Sequence, residues 1–348
     1  MVFFRRYNGK KIVTGGQVYD NQLREAISKL SDEKPLLKES VGKKPKNLFD
    51  KLCQPITIAI NGLRLSKRDK SVFFNSSACT YNLPLMFLLR IKGKKVIVIH
   101  HHYRYQLENG MWRHIYRFVE WIVLRLASYV ITPNPYTLDL MKRSDEKIHT
   151  LFFPLHFDKT IHSGMIPVAG KLLYIGTIER RKGLEYLIEA LLKLKSRGVK
   201  VHLDVVGKET EEDYAQHIKD IIKSECLDVT LHGFVTAEQK DALMRTTDIF
   251  TFPSMHEGFG MVLAEAQTYS LPIICFNNSA MPYTVRDGFN GFLCENRNAG
   301  AMADAIERVV SDRKLRARLS ENARKSVDGL ASEEDFLKAV EENLYKIS

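Results

Sequence analysis

The chain has 348 residues, of which 45% are hydrophobic and 27% charged, enough for two globular domains that each bury a core. No apolar run approaches the ~20 residues of a membrane span, and no apolar leader precedes Arg5 and Arg6, so a cytoplasmic protein is expected. Charge is uneven: residues 1–170 carry 28 Lys/Arg against 13 Asp/Glu and residues 171–348 carry 24 against 28, so the first half should meet something anionic.

In chain order, Val2-Phe3-Phe4 reads as a short strand. Gly15-Gly16 precede a helical stretch from Val18 to Leu30, where paired glycines can form a plain turn or bring backbone close to a ligand. Residues 31–70 are rich in lysine, with Gly42-Lys43-Lys44-Pro45-Lys46 and Arg64 to Lys70 flanking Ile56–Ile60, a strand or helix end. Ser71–Asn75 reads as a strand and Tyr81–Ile91 as a helix. Lys94–Ile99 is β-branched and continuous, the pattern of a strand buried on both faces.

That strand ends in His100-His101-His102. Ligands of an open parallel sheet bind beyond its carboxyl ends, so at least one of these histidines is expected to line a site. A neutral surface cluster and a His-rich metal site are the alternatives. Met111–Tyr129 reads as a helix in which Arg113, Arg117, Glu120 and Arg125 interrupt aromatic and aliphatic residues. Such a helix can lie on an anionic bilayer, but a core helix with one wet stripe is favoured. Ala127–Asn134 follows as a strand and turn, and the aperiodic stretch His156–Gly170 as the linker between domains.

In the second half, Leu172–Gly176 is a buried strand, followed by Arg180-Arg181-Lys182-Gly183 and an amphipathic helix, Leu184–Ser196. Basic side chains in a strand-to-helix loop suit phosphate, arginine as a fork and lysine as a point charge. Val201–Gly207, a helix from Tyr214 to Cys226, Val229–Leu231, the turn Gly233-Phe234-Val235 and a helix from Glu238 to Thr246 continue the alternation. Helices are expected again over Ala301–Val310, Arg313–Val327 and Glu333–Tyr345. Alternating strand and helix implies α/β, doubly wound parallel sheets. Cys53, Cys79, Cys226, Cys275 and Cys294 have neither disulfide nor metal spacing.

The densest stretch is Phe252–Ala266. An apolar strand ends at Pro253-Ser254, Gly258 and Gly260 break helicity, and helix formers resume at Met261. Glu257 lies in the loop and Glu265 in the helix. On one continuous helix they would stand ~12 Å apart and roughly 80° around it. With Glu257 on a loop folded over the helix start, both can reach one extended ligand, with phosphate at the N–H groups between them.

Pro253-Ser254, Glu257-Gly258-Phe259-Gly260 and Glu265-Ala266, with Leu271–Ile274 and Asp287–Leu293, resemble the signature of retaining glycosyltransferases of the GT-B fold, the GT4 family. The resemblance covers the C-terminal half well and the N-terminal half loosely. It implies two Rossmann-like, doubly wound domains facing a central cleft: residues 1–160 for the acceptor, 161–330 for the nucleotide sugar, and 331–348 as a helix crossing back to the first. The Ala127–Asn134 strand resembles the family's last N-domain strand.

The same resemblance assigns roles. Glu257 would hold hydroxyls of the transferred sugar and Glu265 those of the ribose. Lys182 with Arg181 or Arg180 would hold the diphosphate, because Thr177 stands where relatives carry the usual arginine. Gly258, Phe259 and Gly260 form the phosphate end, Gly207 and Gly233 lie on the donor side, and Gly15-Gly16 face the cleft. His100, or else His101, would position sugar or acceptor.

No Asp-x-Asp-like metal pair is present, so no metal or other cofactor is expected. The implied partners are a UDP- or GDP-sugar, a glycan or lipid-linked acceptor and an anionic membrane surface on the cytoplasmic side, without nucleic acid. An epimerase or phosphorylase of the same fold, and a noncatalytic polyanion-binding scaffold, are the rival expectations.

Overall fold

The computed structural model describes residues 2–5, 15–31, 36–39, 59, 60, 62–64, 66, 69–144 and 148–348. The lysine-rich run Gly42–Lys46 and residues Ile56–Ile58 lie outside these, while Ala59 and Ile60 are helical rather than extended. The chain divides into two compact units, Met1–His156 with Glu333–Ser348, and Phe157–Ser332.

The first unit contains β1 (Val2–Arg5), α1 (Gly15–Leu30), β2 (Leu36–Glu39), β3 (Ser71–Asn75), α2 (Ser76–Ile91), β4 (Lys95–Ile99), α3 (Gly110–Leu126), β5 (Tyr129–Thr132), α4 (Pro135–Ser144) and β6 (Thr150–Phe152). Its strands form one parallel sheet in the order β2-β1-β3-β4-β5-β6. Successive residues of a strand point to opposite faces. Val72 and Phe74 of β3 thus join Val96, Val98 and Val130 on one face, with Leu85, Met86 and Leu89 of α2 packed over them. Phe73 faces the other way and stacks on Phe3, ring centroids 4.2 Å apart. The strand Ala127–Asn134 is not the last of this sheet, because β6 pairs outside it. Its three residues are too few to show strand periodicity in sequence.

Two helices differ from expectation. Helix α2 starts at Ser76, five residues early, and carries Pro84 inside it. Helix α3 ends at Leu126, since Tyr129 already pairs with Ile97 in the sheet. The favoured core placement of α3 is wrong: Met111, Trp112, Phe118 and Trp121 are exposed, and only Val123 and Leu124 of the helix are buried.

The second unit contains β7 (Lys171–Ile175), α5 (Leu184–Ser196), β8 (His202–Val206), α6 (Glu212–Ser224), β9 (Val229–Gly233), α7 (Ala237–Thr246), β10 (Ile249–Phe252), α8 (Met261–Thr268), β11 (Ile273–Phe276), β12 (Gly291–Cys294), α9 (Ala299–Ser311) and α10 (Arg313–Ser326). Here too all pairings are parallel, in the order β12-β11-β10-β7-β8-β9. Leu172 and Tyr174 pack on one face with Leu184, Leu187, Ile188 and Leu191 of α5, an i, i+3, i+4, i+7 stripe. Burying each of these side chains contributes about 1.5–3 kcal/mol. Leu173 turns to the opposite face with Phe250, Phe252 and Leu263. Helices on both faces explain the unbroken apolar strands.

The expected linker does not run free. His162, Ile166 and Val168 donate backbone hydrogen bonds to the carbonyls of Thr268, Arg245 and Thr246, at 2.9 to 3.0 Å. Helix α11 (Glu333–Ile347) closes the chain in the first unit, where Phe336 meets the edge of Tyr19 and Glu333 pairs with Lys29.

Candidate functional site

In the second sheet, chain order moves outward from β7 through β8 and β9, then restarts on its other side with β10. Two neighbouring strands whose connections leave in opposite directions open a crevice at their carboxyl ends. The loop after β7 carries Arg180, Arg181 and Lys182, and the loop after β10 carries Glu257.

Backbone contacts join these loops before any side chain is considered. Arg180–Lys182 form one 3-10 turn that ends at Gly183. Gly183 has φ of +66°, and a Cβ there would stand 2.2 Å from the Pro253 carbonyl oxygen. Only glycine meets both demands. The Met255 N–H donates to the Arg181 carbonyl at 2.9 Å, so the turn is laid directly on the end of β10.

The side chains follow from that. Lys182 Nζ lies 2.5 Å from Glu257 Oε1 and 5.2 Å from the centre of the Phe252 ring. Arg181 donates through Nη1 to the His256 carbonyl at 2.8 Å, reaches Glu257 Oε1 at 3.5 Å, and pairs through Nη2 with Glu179 at 2.6 Å. Ser254 Oγ donates to Glu257 at 2.7 Å, and the Glu257 N–H donates to Ser279 Oγ at 2.9 Å. Two acids and two bases therefore alternate in one network.

Burial would raise the Glu257 carboxyl, but the charges of Lys182 and Arg181 and the hydrogen bonds of Lys182 and Ser254 outweigh it, holding the carboxyl below its ordinary value. Burial pushes neighbouring His256 down to about 4, so its imidazole is neutral at pH 7. Arg181, not Arg180, stands beside Glu257. Arg180 lies over the Tyr214 ring, 5.3 Å from its centre, and close to Glu211.

Glu265 has its own cation. It sits in α8, which starts after Gly260 with no side-chain cap, and it pairs with Lys240 of α7. Gly258 and Phe259 lie in the loop between the two carboxylates, with the Phe259 ring 5.2 Å from that of Phe157. Beside this region Gly207 donates its N–H to the Gly233 carbonyl at 2.8 Å. A Cβ on Gly207 would stand 1.8 Å from the Gly176 carbonyl oxygen, so glycine is required for these strand ends to close up. A cavity of about 440 Å³ opens next to Gly233, lined by His232, Phe234, Val235, Gln239 and Leu243.

The first unit has its own convergence, at the carboxyl ends of β1, β3 and β4. Gly15 and Gly16 open α1, and the His101 ring stands over Gly16, 3.3 Å from where a Cβ would be. His101 Nε2 faces Asp20 Oδ1 at 3.2 Å and Asn75 Nδ2 at 3.1 Å, while Asn75 donates to Asp20 at 2.7 Å. His100 is instead buried against Tyr103. Both its ring nitrogens lack a hydrogen-bond partner among the described residues. Burial first, then the neighbouring His102 and His101, push its pKa down to about 3.

Several participants had no signal in the sequence. Ser254 belonged to the recognised motif, but its bond to Glu257 was not foreseen. Ser279, Lys240, Asp20 and Asn75 became visible only when distant segments met, whereas Glu179 stands two residues from its partner Arg181. Among the described residues no group of three or more His, Cys, Asp or Glu could hold a metal ion.

Residues 169–326 match the family model described as glycosyl transferases group 1. Capsular polysaccharide biosynthesis glycosyltransferase CapM of Staphylococcus aureus is 31% identical over 155 residues, 44% of this chain and 40% of that protein. Alpha-D-kanosaminyltransferase of Streptomyces kanamyceticus is 30% identical over 154 residues, 44% of this chain and 39% of that protein. The chain thus spans about two fifths of the length of these curated relatives.

Among solved structures, HepE of Anabaena in complex with UDP and glucose superposes with a TM-score of 0.78 at 17% identity, covering 99% of this chain and 98% of that one. Sucrose-phosphate synthase of Thermosynechococcus elongatus gives 0.77 at 18%, with the same coverage. The fold is GT-B, two Rossmann-like units each built on a parallel sheet, and the likeness to the glycosyl transferases group 1 model is carried by residues 169–326 of the second unit.

Proposed function

We propose that the protein is a retaining glycosyltransferase of the GT4 type. It moves a sugar from a UDP- or GDP-sugar to a hydroxyl of a glycan or lipid-linked acceptor in polysaccharide, lipopolysaccharide or glycoprotein glycan assembly. The observation that carries this is the network of Arg181, Lys182 and Glu257 at the carboxyl ends of β7 and β10. It sets cations for a diphosphate directly beside a carboxylate for sugar hydroxyls. The UDP complex of HepE, a structure of the same fold, supports a nucleotide donor.

In this scheme Arg181 and Lys182 stabilise the negative charge that grows on the diphosphate as the glycosidic C–O bond breaks. The Ser254, Lys182 and Arg181 bonds keep Glu257 ionised, so it accepts hydrogen bonds from sugar hydroxyls. Glu265 takes the ribose hydroxyls, and the base lies toward Gly233. The first unit is assigned the acceptor, with His101 rather than His100 positioning a hydroxyl, because His101 is oriented by Asp20 and Asn75. The cationic side chains take the place of a metal ion, so chelator should leave turnover unchanged.

A thermal-shift panel of nucleoside diphosphates and their sugars tests the proposal. The cognate donor at a hundredfold its Kd should stabilise by about 2.7 kcal/mol, with no gain for Glu257→Gln at that concentration. No response to any member of the panel would rule it out. Donor turnover without an acceptor product would point to an epimerase.

A further inference from the structure

His101 is aimed from behind. Its ring meets Gly16, Asp20 and Asn75, but its backbone has already left the sheet. The pairing of β4 with β5 runs as far as Ile99 and Ile131, and the His100 N–H then donates to the Ile131 carbonyl at 2.8 Å. Residues 100–103 are irregular. A ring carried on such a segment points wherever its peptide plane is turned.

Two side chains turn that plane. Asn134 Nδ2 donates to the His101 carbonyl at 2.9 Å, and Thr137 Oγ1 donates to the same oxygen at 3.1 Å. A carbonyl oxygen has two lone pairs, so two donors fix both its tilt and its rotation. Asn134 is 1% and Thr137 0% exposed, and water does not compete for either bond.

The Asn134 amide has one possible orientation. Its Oδ1 accepts the Thr137 N–H at 2.7 Å and so caps α4, which begins at Pro135. Nδ2 is therefore left to the carbonyl. The run Thr132-Pro133-Asn134-Pro135 holds the cap in place. A residue before proline is kept extended, as a cap must be, and proline suits the first helical position. The Leu155 N–H donates to the Pro133 carbonyl at 3.1 Å, tying the cap to the segment after β6. A cap alone requires only an acceptor. Of the residues that helix starts prefer, asparagine alone combines one with separate N–H donors.

We infer that Asn134 and Thr137 are positioning residues for His101: by fixing its carbonyl they set its ring against Asp20 and Asn75. Their consequence for turnover rests on the reading of His101 as the group that places an acceptor hydroxyl.

Three variants separate capping from positioning. Asn134→Asp keeps the cap acceptor and loses the donor, Thr137→Val keeps the shape and loses the hydroxyl, and Thr137→Ser restores it. Full-length protein labelled at its 11 histidines gives imidazole resonances, among which His101→Gln identifies that of His101. Asn134→Asp and Thr137→Val should shift or broaden the His101 resonance and leave that of His202 in place, while Thr137→Ser should match the parent. In the first two, kcat/KM for the acceptor should fall about tenfold or more, with the donor Kd from calorimetric titration unchanged. Should Asn134→Asp fail to fold, Thr137→Val against Thr137→Ser carries the test.

An unmoved His101 resonance would overturn the inference whatever the turnover. So would turnover equal to the parent's, or a parallel loss of donor affinity, which would mark a general loosening of the fold. If the parent itself transfers no sugar, the functional reading fails, and the His101 resonance still decides whether Asn134 and Thr137 orient the ring.

Discussion

Lys182 Nζ meets Glu257 Oε1 at 2.5 Å although the two residues stand 75 positions apart in the chain. Each would be costly in that half-buried place without the other. Removing one partner of a buried pair typically costs about 3–5 kcal/mol, whereas replacing both by apolar residues is often neutral. Glu257→Ala and Lys182→Ala should each lower the unfolding free energy by about 3 kcal/mol. The double variant Lys182→Met/Glu257→Met should recover most of that in urea unfolding and still lose donor turnover, separating the structural from the chemical task.

Acid should weaken the fold through identifiable groups. The Glu257 carboxyl is held below its ordinary value, so its stabilisation is complete above the unfolded pKa and is lost as pH falls through the folded one. His256 and His100, pushed to about 4 and about 3, are neutral in the fold but take up protons when unfolded below about pH 6.5. Stability should therefore rise with pH from about 3 to about 6.5. Thermal unfolding across this range should show a shallower acid limb for His100→Gln than for the parent chain.

Gly183 carries the junction between the two loops. A Cβ at φ +66° costs roughly 1–2 kcal/mol of backbone strain, and the contact with the Pro253 carbonyl adds to it. Gly183→Ala should destabilise by at least about 2 kcal/mol and weaken nucleotide binding together with stability, by calorimetric titration. Gly198, also at positive φ but with nothing near its Cβ position, is the control: Gly198→Ala should weaken the fold without touching affinity.

Glu265 and Lys240 should behave differently. Each side chain is 33% exposed, and pairs of that kind contribute about 1 kcal/mol or less. Glu265→Ala should leave the melting temperature within a few degrees of the parent. Hydrogen bonds from hydroxyls to a carboxylate are worth about 1.5–3 kcal/mol, so the same change should raise the Kd for the nucleoside diphosphate at least tenfold. An unchanged Kd would remove Glu265 from the donor site.

The alternation of apolar runs with amphipathic stretches was enough to place the strands from β7 to β10 and the helices between them within a residue or two, whereas β11 and β12 were not read as strands. Local patterning shows where an element lies, because each strand of a parallel sheet is covered on both faces and each helix on one. The Glu257–Glu265 stretch was legible for the same reason: strand, glycine loop and helix start follow one another along the chain. What local patterning lacks is a record of which loops meet.

Strand order decided that. Setting β10 beside β7 brought Lys182 onto Glu257 and Arg181 with it, leaving Arg180 on Tyr214. The meeting of β3, β4 and the start of α1 gave His101 its partners Asp20 and Asn75 and left His100 buried against Tyr103, with no hydrogen-bond partner among the described residues. Helix α3 was misjudged because amphipathicity specifies that a face is apolar, not which way it points; that depends on what packs beneath, where Val123 and Leu124 enter the core and Glu120 accepts the N–H groups of Arg104 and Tyr105. The sequence by itself determined the elements and the chemistry each loop carries. The tertiary structure alone decided which charges are paired and which apolar face stays exposed, because both depend on contacts between segments far apart in the chain.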